Sequence, residues 1–143
     1  MSQSQPTRAS DLMTPSPRTC SPHSSILEAV LIFRDADCGA VPVTEGGRPV
    51  GILTDRDVAL ALAEYPDLAN RPVADIMTQS VVTIGPDEPL EVVEAAFTRH
   101  AVRRLPVVDA AGQILGIIAW SDLAPNVADR RVGQVVSEVL ERH

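Results

Sequence analysis

The chain of 143 residues carries 12 basic residues against 19 acidic ones, a net charge of −7. Hydrophobic residues make up 45% and charged ones 22%, the composition of a soluble globular protein. Every basic residue is an arginine, which excludes mechanisms built on a Schiff-base lysine or a phosphate-loop lysine. The acidic balance argues against a nucleic-acid binder and an anionic membrane surface, and the aromatics (Phe33, Tyr65, Phe97, Trp120) are too few to stack a single strand.

Residues 1–10 read as a flexible or loosely docked arm. Asp11-Leu-Met-Thr14 then opens a unit over 11–64. A short strand at Thr19-Cys20 runs into a turn marked by Pro22. Apolar residues at Ile26, Ala29, Val30 and Phe33 have the spacing of an amphipathic helix. Ala40 to Val43 and Val50 to Leu53 form a hairpin, and a second helix starts near Asp55. Residues 65–74, with two prolines, form a linker. The order then restarts over 75–127: Asp75-Ile-Met-Thr78, a strand at Val81 to Ile84, and a helix with Leu90, Val93, Ala96 and Phe97 on one stripe. A hairpin of Leu105 to Val108 with Ile114 to Ile118 follows, then a helix near Ser121. In 128–143, Val132, Val135, Val136, Val139 and Leu140 predict an amphipathic helix that needs a partner surface.

The two units are copies. The offset of 64 (11 to 75) also relates Thr19 to Thr83, Pro22 to Pro86, Ile26 to Leu90, Phe33 to Phe97 and Pro42-Val43 to Pro106-Val107. Beyond the hairpin turn the offset is 65, relating Gly51-Ile52 to Gly116-Ile117 and Asp57 to Asp122. One inserted residue is cheap in a turn. A unit of this size is marginal alone, so the reading is an α+β fold: two strand-helix-strand-strand-helix repeats packed through their sheets around one core, with pseudo-twofold symmetry.

The stretch Gly51-Ile-Leu-Thr-Asp-Arg-Asp-Val58 carries the chemistry. Thr54 at a helix start puts a hydroxyl beside unpaired backbone N–H groups that attract phosphate, and Asp57 can accept from a ribose diol. Thr-x-x-Asp is equally a variant of the helix capping box, which needs no ligand. In the second copy Ala119 replaces the threonine while Asp122 is kept, with Ser121 as an alternative cap. Arg103 and Arg104 stand where the first copy has Gly39 and Ala40; a guanidinium at a cleft mouth suits phosphate, and one on an edge strand discourages aggregation. Trp120 reads as a core or interface anchor and His100 as a cation at a helix end.

Cys20 and Cys38 form no CxxC pair and read as small buried residues, and His23, His100 and His143 lack metal-ligand spacing. With no signal-peptide core and no bilayer-length apolar run, the expectation is a cytoplasmic protein with reduced thiols. No constellation of Ser/His, Cys/His or metal ligands points to an enzyme.

Asp-[Leu/Ile]-Met-Thr, the apolar-Pro-Val strand and Gly-Ile-Leu-Thr-x-x-Asp, each met twice or nearly so, resemble the marks of cystathionine-β-synthase (CBS) domains paired in a Bateman module. The resemblance covers residues 8 to about 127. It implies two clefts related by the pseudo-twofold, dimerisation into a flat disk of four units, and adenosine-containing ligands. AMP, ADP or ATP fit that class best, ahead of S-adenosylmethionine or NAD(H), and no cofactor is obligatory. It further implies that Thr54 contacts phosphate and Asp57 ribose, within a ligand-binding stretch that includes Asp55 and Arg56. Asp122 matches the ribose carboxylate of the second cleft. Ala40, Val41 and Pro42, with Leu105 and Pro106, match strands that hold adenine, and Arg103 and Arg104 match positions that approach phosphate. Ala119 departs from the pattern, so the second cleft is expected to bind phosphate more weakly or to take a different ligand. Two-unit proteins of this kind resemble stress- and hypoxia-associated bacterial proteins. The functional expectation is a sensor that signals to a separate protein, against the alternative of a ligand-free interaction or dimerisation module.

Overall fold

The computed structural model describes residues 7–79 and 81–126. The helix expected over 128–143 lies outside them, as do residues 1–6. Chain order runs α1 (Ala9–Leu12), β1 (Thr14–Pro15), α2 (Ile26–Ala36), β2 (Ala40–Glu45), β3 (Arg48–Thr54) and α3 (Asp55–Ala61). Two 3-10 turns follow, Leu68–Asn70 and Val73–Asp75, then α4 (Leu90–His100), β4 (Arg104–Val108), β5 (Ile114–Ala119) and a 3-10 segment over Trp120–Asn126. This is the expected α+β architecture.

Helix α2 begins where Ser25 accepts the Glu28 amide and ends where Asp37 turns left-handed at φ 52°. Helix α4 ends the same way at its repeat equivalent, Ala101, at φ 53°. Each helix lays its apolar stripe on its own hairpin: Ile26, Ala29 and Ile32 in one copy, Val93 and Phe97 in the other. The β2–β3 turn is the pair Gly46-Gly47, both at positive φ (59° and 81°), a conformation that glycine adopts without strain. In the second hairpin the Asp109 carboxylate instead takes the amides of Ala111 and Gln113 at 2.9 and 3.0 Å, and the one-residue lengthening sits in this turn. The turns touch, Gln113 Nε2 donating to the Gly46 carbonyl at 2.9 Å.

The short strands expected at Thr19-Cys20 and Val81–Ile84 reduce to single parallel bridges, Cys20 to Val43 and Ile84 to Val107. The Cys20 and Ile84 amides donate to the carbonyls of Pro42 and Pro106 (3.2 and 3.0 Å). A proline in each strand is tolerated because so little of that edge is paired.

The repeated Met-Thr segments exchange partners. β1, from the first copy, pairs with β5 of the second through Thr14–Ile117 and Pro15–Gly116. Thr78, from the second copy, bridges Ile52 on β3 of the first. Both contacts need a glycine in the receiving strand. A Cβ on Gly51 would stand 2.6 Å from Met77 Sδ and 2.9 Å from the Thr78 carbonyl; one on Gly116 would stand 2.8 Å from the Thr14 carbonyl. The buried residues form two clusters rather than the single core expected. One holds Ile26, Ala29, Val41, Val43, Leu53 and Val73; the other holds Ala9, Val93, Phe97, Leu105, Ile118, Trp120 and Leu123. Ala9, just ahead of the first copy, therefore belongs to the second copy's cluster, and Val73, just ahead of the second copy, to the first's. Residues 7–10, read from the sequence as part of a loose arm, are docked here: Thr7 and Glu88 accept the amides of Leu90 and Ala9, and Ala9 is fully buried.

Candidate functional site

A cavity of about 280 Å³ lies between the copies, at the end of β3 and the start of α3. The first copy contributes Gly39, Ile52, Thr54, Asp55, Arg56 and Asp57. Thr78, Val82 and the Ala101–Arg104 segment complete the lining. The β3–α3 junction is held by two devices. Asp55 N donates to the Gly39 carbonyl at 3.0 Å. Thr54 and Asp57 form a reciprocal cap, Thr54 N donating to Asp57 Oδ2 at 2.9 Å and Asp57 N to Thr54 Oγ1 at 3.1 Å. In this arrangement the threonine oxygen acts as acceptor, so its O–H remains a donor for the cavity, and the carboxylate retains Oδ1 as an acceptor.

From the other side, Arg103 and Arg104 enter β4 half-buried, with Arg104 Nη1 donating to the Arg103 carbonyl at 3.2 Å. Three arginines and two aspartates line the cavity, so its local balance is positive in a chain of net charge −7. Such a wall of donors suits an anionic group carried on a less polar body.

Six of the sequence-named residues, Thr54, Asp55, Arg56, Asp57, Arg103 and Arg104, meet at this cavity. Ala40, Val41, Pro42, Leu105 and Pro106 are not among its lining residues; Val41, Pro42, Leu105 and Pro106 are fully buried in the two cores. Both faces of these strands are covered, as a continuous apolar run requires. Asp122 stands at the equivalent junction of the second copy, where its Oδ2 accepts the Ala119 amide at 2.7 Å and Trp120 N donates to the Arg103 carbonyl. Half of the cap thus persists there without a threonine. Trp120 is buried edge-on against Phe97, ring centroids 5.3 Å apart.

Gly39, Ile52, Thr78, Val82, Ala101 and Val102 also line the cavity and had no site role in the sequence reading. The repeat register held a signal for Gly39, which matches Arg103 at the offset of 64, and Thr78 closes a motif read only as a repeat marker. Cys20 is buried away from the cavity, and burial, with Glu28 nearby, pushes its thiol up to about 11, the opposite of an activated nucleophile. Among the described residues no group of three or more His, Cys, Asp or Glu is arranged to hold a metal, and no helix is long and apolar enough to cross a membrane.

The family model of the CBS domain matches residues 9–64 and 73–129. The chain is a tandem pair of CBS domains. It is similar to CBS domain-containing protein YhcV of Bacillus subtilis, 35% identical over 134 residues, which is 93% of this chain and 95% of that protein. The CBS domain pair of protein MJ0100, solved in complex with 5′-methylthioadenosine and S-adenosyl-L-methionine, matches at a TM-score of 0.75 and 30% identity, over 85% of this chain and 95% of that one. CBSX2, solved in complex with AMP, matches at 0.69 and 28% identity, over 83% and 94%. The cavity of this CBS pair lies at the junction where the Gly-Ile-Leu-Thr-x-x-Asp motif of the first copy faces the second copy.

Proposed function

We propose that this CBS pair is a regulatory sensor that binds an adenine nucleotide, AMP, ADP or ATP, in the Thr54/Asp57 cleft. The observation that carries the reading is the meeting of Thr54 and Asp57 from one copy with Arg103 and Arg104 from the other in a single cavity. Asp57 Oδ1 takes the ribose hydroxyls, and the Thr54 hydroxyl and the arginines take phosphate, with charge-assisted bonds as the strongest contacts. Because the ligand touches both copies, its binding favours the arrangement in which they lie at the right separation, and only that differential affinity can carry a signal. S-adenosylmethionine, whose sulfonium brings positive charge, and NAD(H) rank lower against this arginine wall. The effector is a separate protein. The working form is a homodimer, a reading supported by the exposed Leu27 and Leu31 on α2 and Leu60 on α3, and its proposed compartment is the cytoplasm.

Calorimetry and thermal shift with AMP, ADP, ATP, S-adenosylmethionine and NAD(H) test the reading. It predicts saturable binding and a raised Tm with the adenine nucleotides; no saturable binding at millimolar ligand overturns it. A second reading, a ligand-free interaction module, draws on the complete Thr54–Asp57 cap, which stabilises α3 unaided. Asp57→Ala separates the two: the sensor loses nucleotide binding in addition to stability, whereas the module loses only about 0.5–2 kcal/mol of stability.

A further inference from the structure

Asp55 is one of two carboxylates in a cleft whose three arginines suit an anion. It opens α3 exposed, and it lines the cavity beside Arg56, Arg103 and Arg104. A Cβ on Gly39 would stand 3.4 Å from Asp55 Oδ2 and 3.5 Å from Arg104 Nη2, so the two opposite charges lie within about 7 Å of each other, beside a residue that has no side chain. The arrangement has no counterpart at the second junction, where, with the two copies exchanged, the positions of Asp55, Gly39 and Arg104 are taken by Trp120, Arg103 and Ala40.

We propose that Asp55 is the charge selector of the cleft: an internal anion that competes with ligand phosphate for Arg104 and so limits how much negative charge the cleft rewards. The proposal rests on the nucleotide reading above. Each added phosphate strengthens attraction to the arginines and also repulsion from Asp55, so the carboxylate narrows the advantage of ATP over AMP. Gly39 places no side chain against either group, and a Cβ there would touch both. A purely structural Asp55, stabilising the first turn of α3 through its charge, has no reason to discriminate among phosphates.

The test is the affinity of the full chain for adenosine, AMP, ADP and ATP in wild type, Asp55→Asn and Arg104→Gln, each at low and high salt, with Tm recorded. Asp55→Asn is expected to tighten binding in proportion to ligand charge, about threefold for AMP and about tenfold for ATP at low salt, with the gain shrinking as salt rises. In the Arg104→Gln background the same substitution yields a smaller gain. If Asp55→Asn folds poorly, Asp55→Ser carries the same expectation. An equal change across the four ligands, or none, overturns the role of Asp55 and leaves the nucleotide reading standing. Absence of saturable binding of any of the four to wild type overturns both.

Discussion

The two junctions that follow the hairpins of this CBS pair occupy equivalent places in the repeat and differ in backbone and chemistry, the first opening an α-helix and the second a 3-10 segment where the sequence predicted a helix near Ser121. In the first, Thr54-Asp55-Arg56-Asp57 forms a complete reciprocal cap and faces Arg103 and Arg104 across the cavity. In the second, Ala119-Trp120-Ser121-Asp122 keeps only the Asp122 half of the cap, and Gly39 and Ala40 stand where the arginines would be. Trp120 occupies the position of Asp55 and is spent on packing against Phe97. In both junctions the aspartate accepts the backbone amide three residues before it. A retained motif residue thus reports the fold, and ligand chemistry must be read from what surrounds it.

The largest effect concerns the part that the two copies share. Gly51→Ala and Gly116→Ala each push a Cβ into a backbone carbonyl of the crossing segment, at 2.9 and 2.8 Å. Each is expected to lose about 1–3 kcal/mol in urea unfolding. A loss at only one of the two breaks the symmetry of the exchange.

The caps respond unequally. Thr54→Ala removes an existing acceptor and should lose about 0.5–2 kcal/mol. The reverse change, Ala119→Thr, supplies a hydroxyl to the Asp122 amide and should gain up to about 1 kcal/mol. A gain absent at 119 would mean that the 3-10 segment there holds its own geometry without the threonine.

The arginines sharpen the difference in ligand binding. Arg103→Gln and Arg104→Gln should each weaken AMP about tenfold, the value of one hydrogen bond to a charged group. That loss should shrink as salt rises. A salt-independent loss would point to packing instead.

Near neutral pH the smallest effect is at Cys20. Its folded thiol titrates at about 11, above its ordinary value of 9.0, so the unfolded chain gives up this proton first. Stability from this group is therefore fully present below about pH 9 and declines as pH rises through about 11. Cys20→Ala flattens that decline. In the native protein Cys20 should react with iodoacetamide at pH 8 far more slowly than after unfolding.

Much of the fold was legible because a duplicated pattern constrains itself: each helix stripe, hairpin and turn had to be read the same way twice. The exchange of the Met-Thr segments was not legible. Asp11-Leu-Met-Thr14 and Asp75-Ile-Met-Thr78 carry no signal of which sheet receives them, and the receiving glycines, Gly116 and Gly51, are distant in sequence. For the same reason one core was expected where two interleaved clusters form. At the cleft, Thr54, Asp57, Arg103 and Arg104 were singled out by residue type and spacing, Asp55 and Arg56 came with the resemblance, and Thr78 was read only as a repeat marker. Val41, Pro42, Leu105 and Pro106 were named through resemblance, and their side chains are buried because both faces of these short strands are covered. The apolar lining residues Val82 and Val102 show nothing in sequence that separates them from core.

The claim that the two junctions differ in ligand chemistry is tested most directly by the stoichiometry of AMP binding in calorimetry at low salt. The account predicts one AMP per chain, lost in Asp57→Ala and weakened by the arginine substitutions. Two equivalent AMP molecules per chain, or a single one that survives Asp57→Ala undiminished, would contradict it.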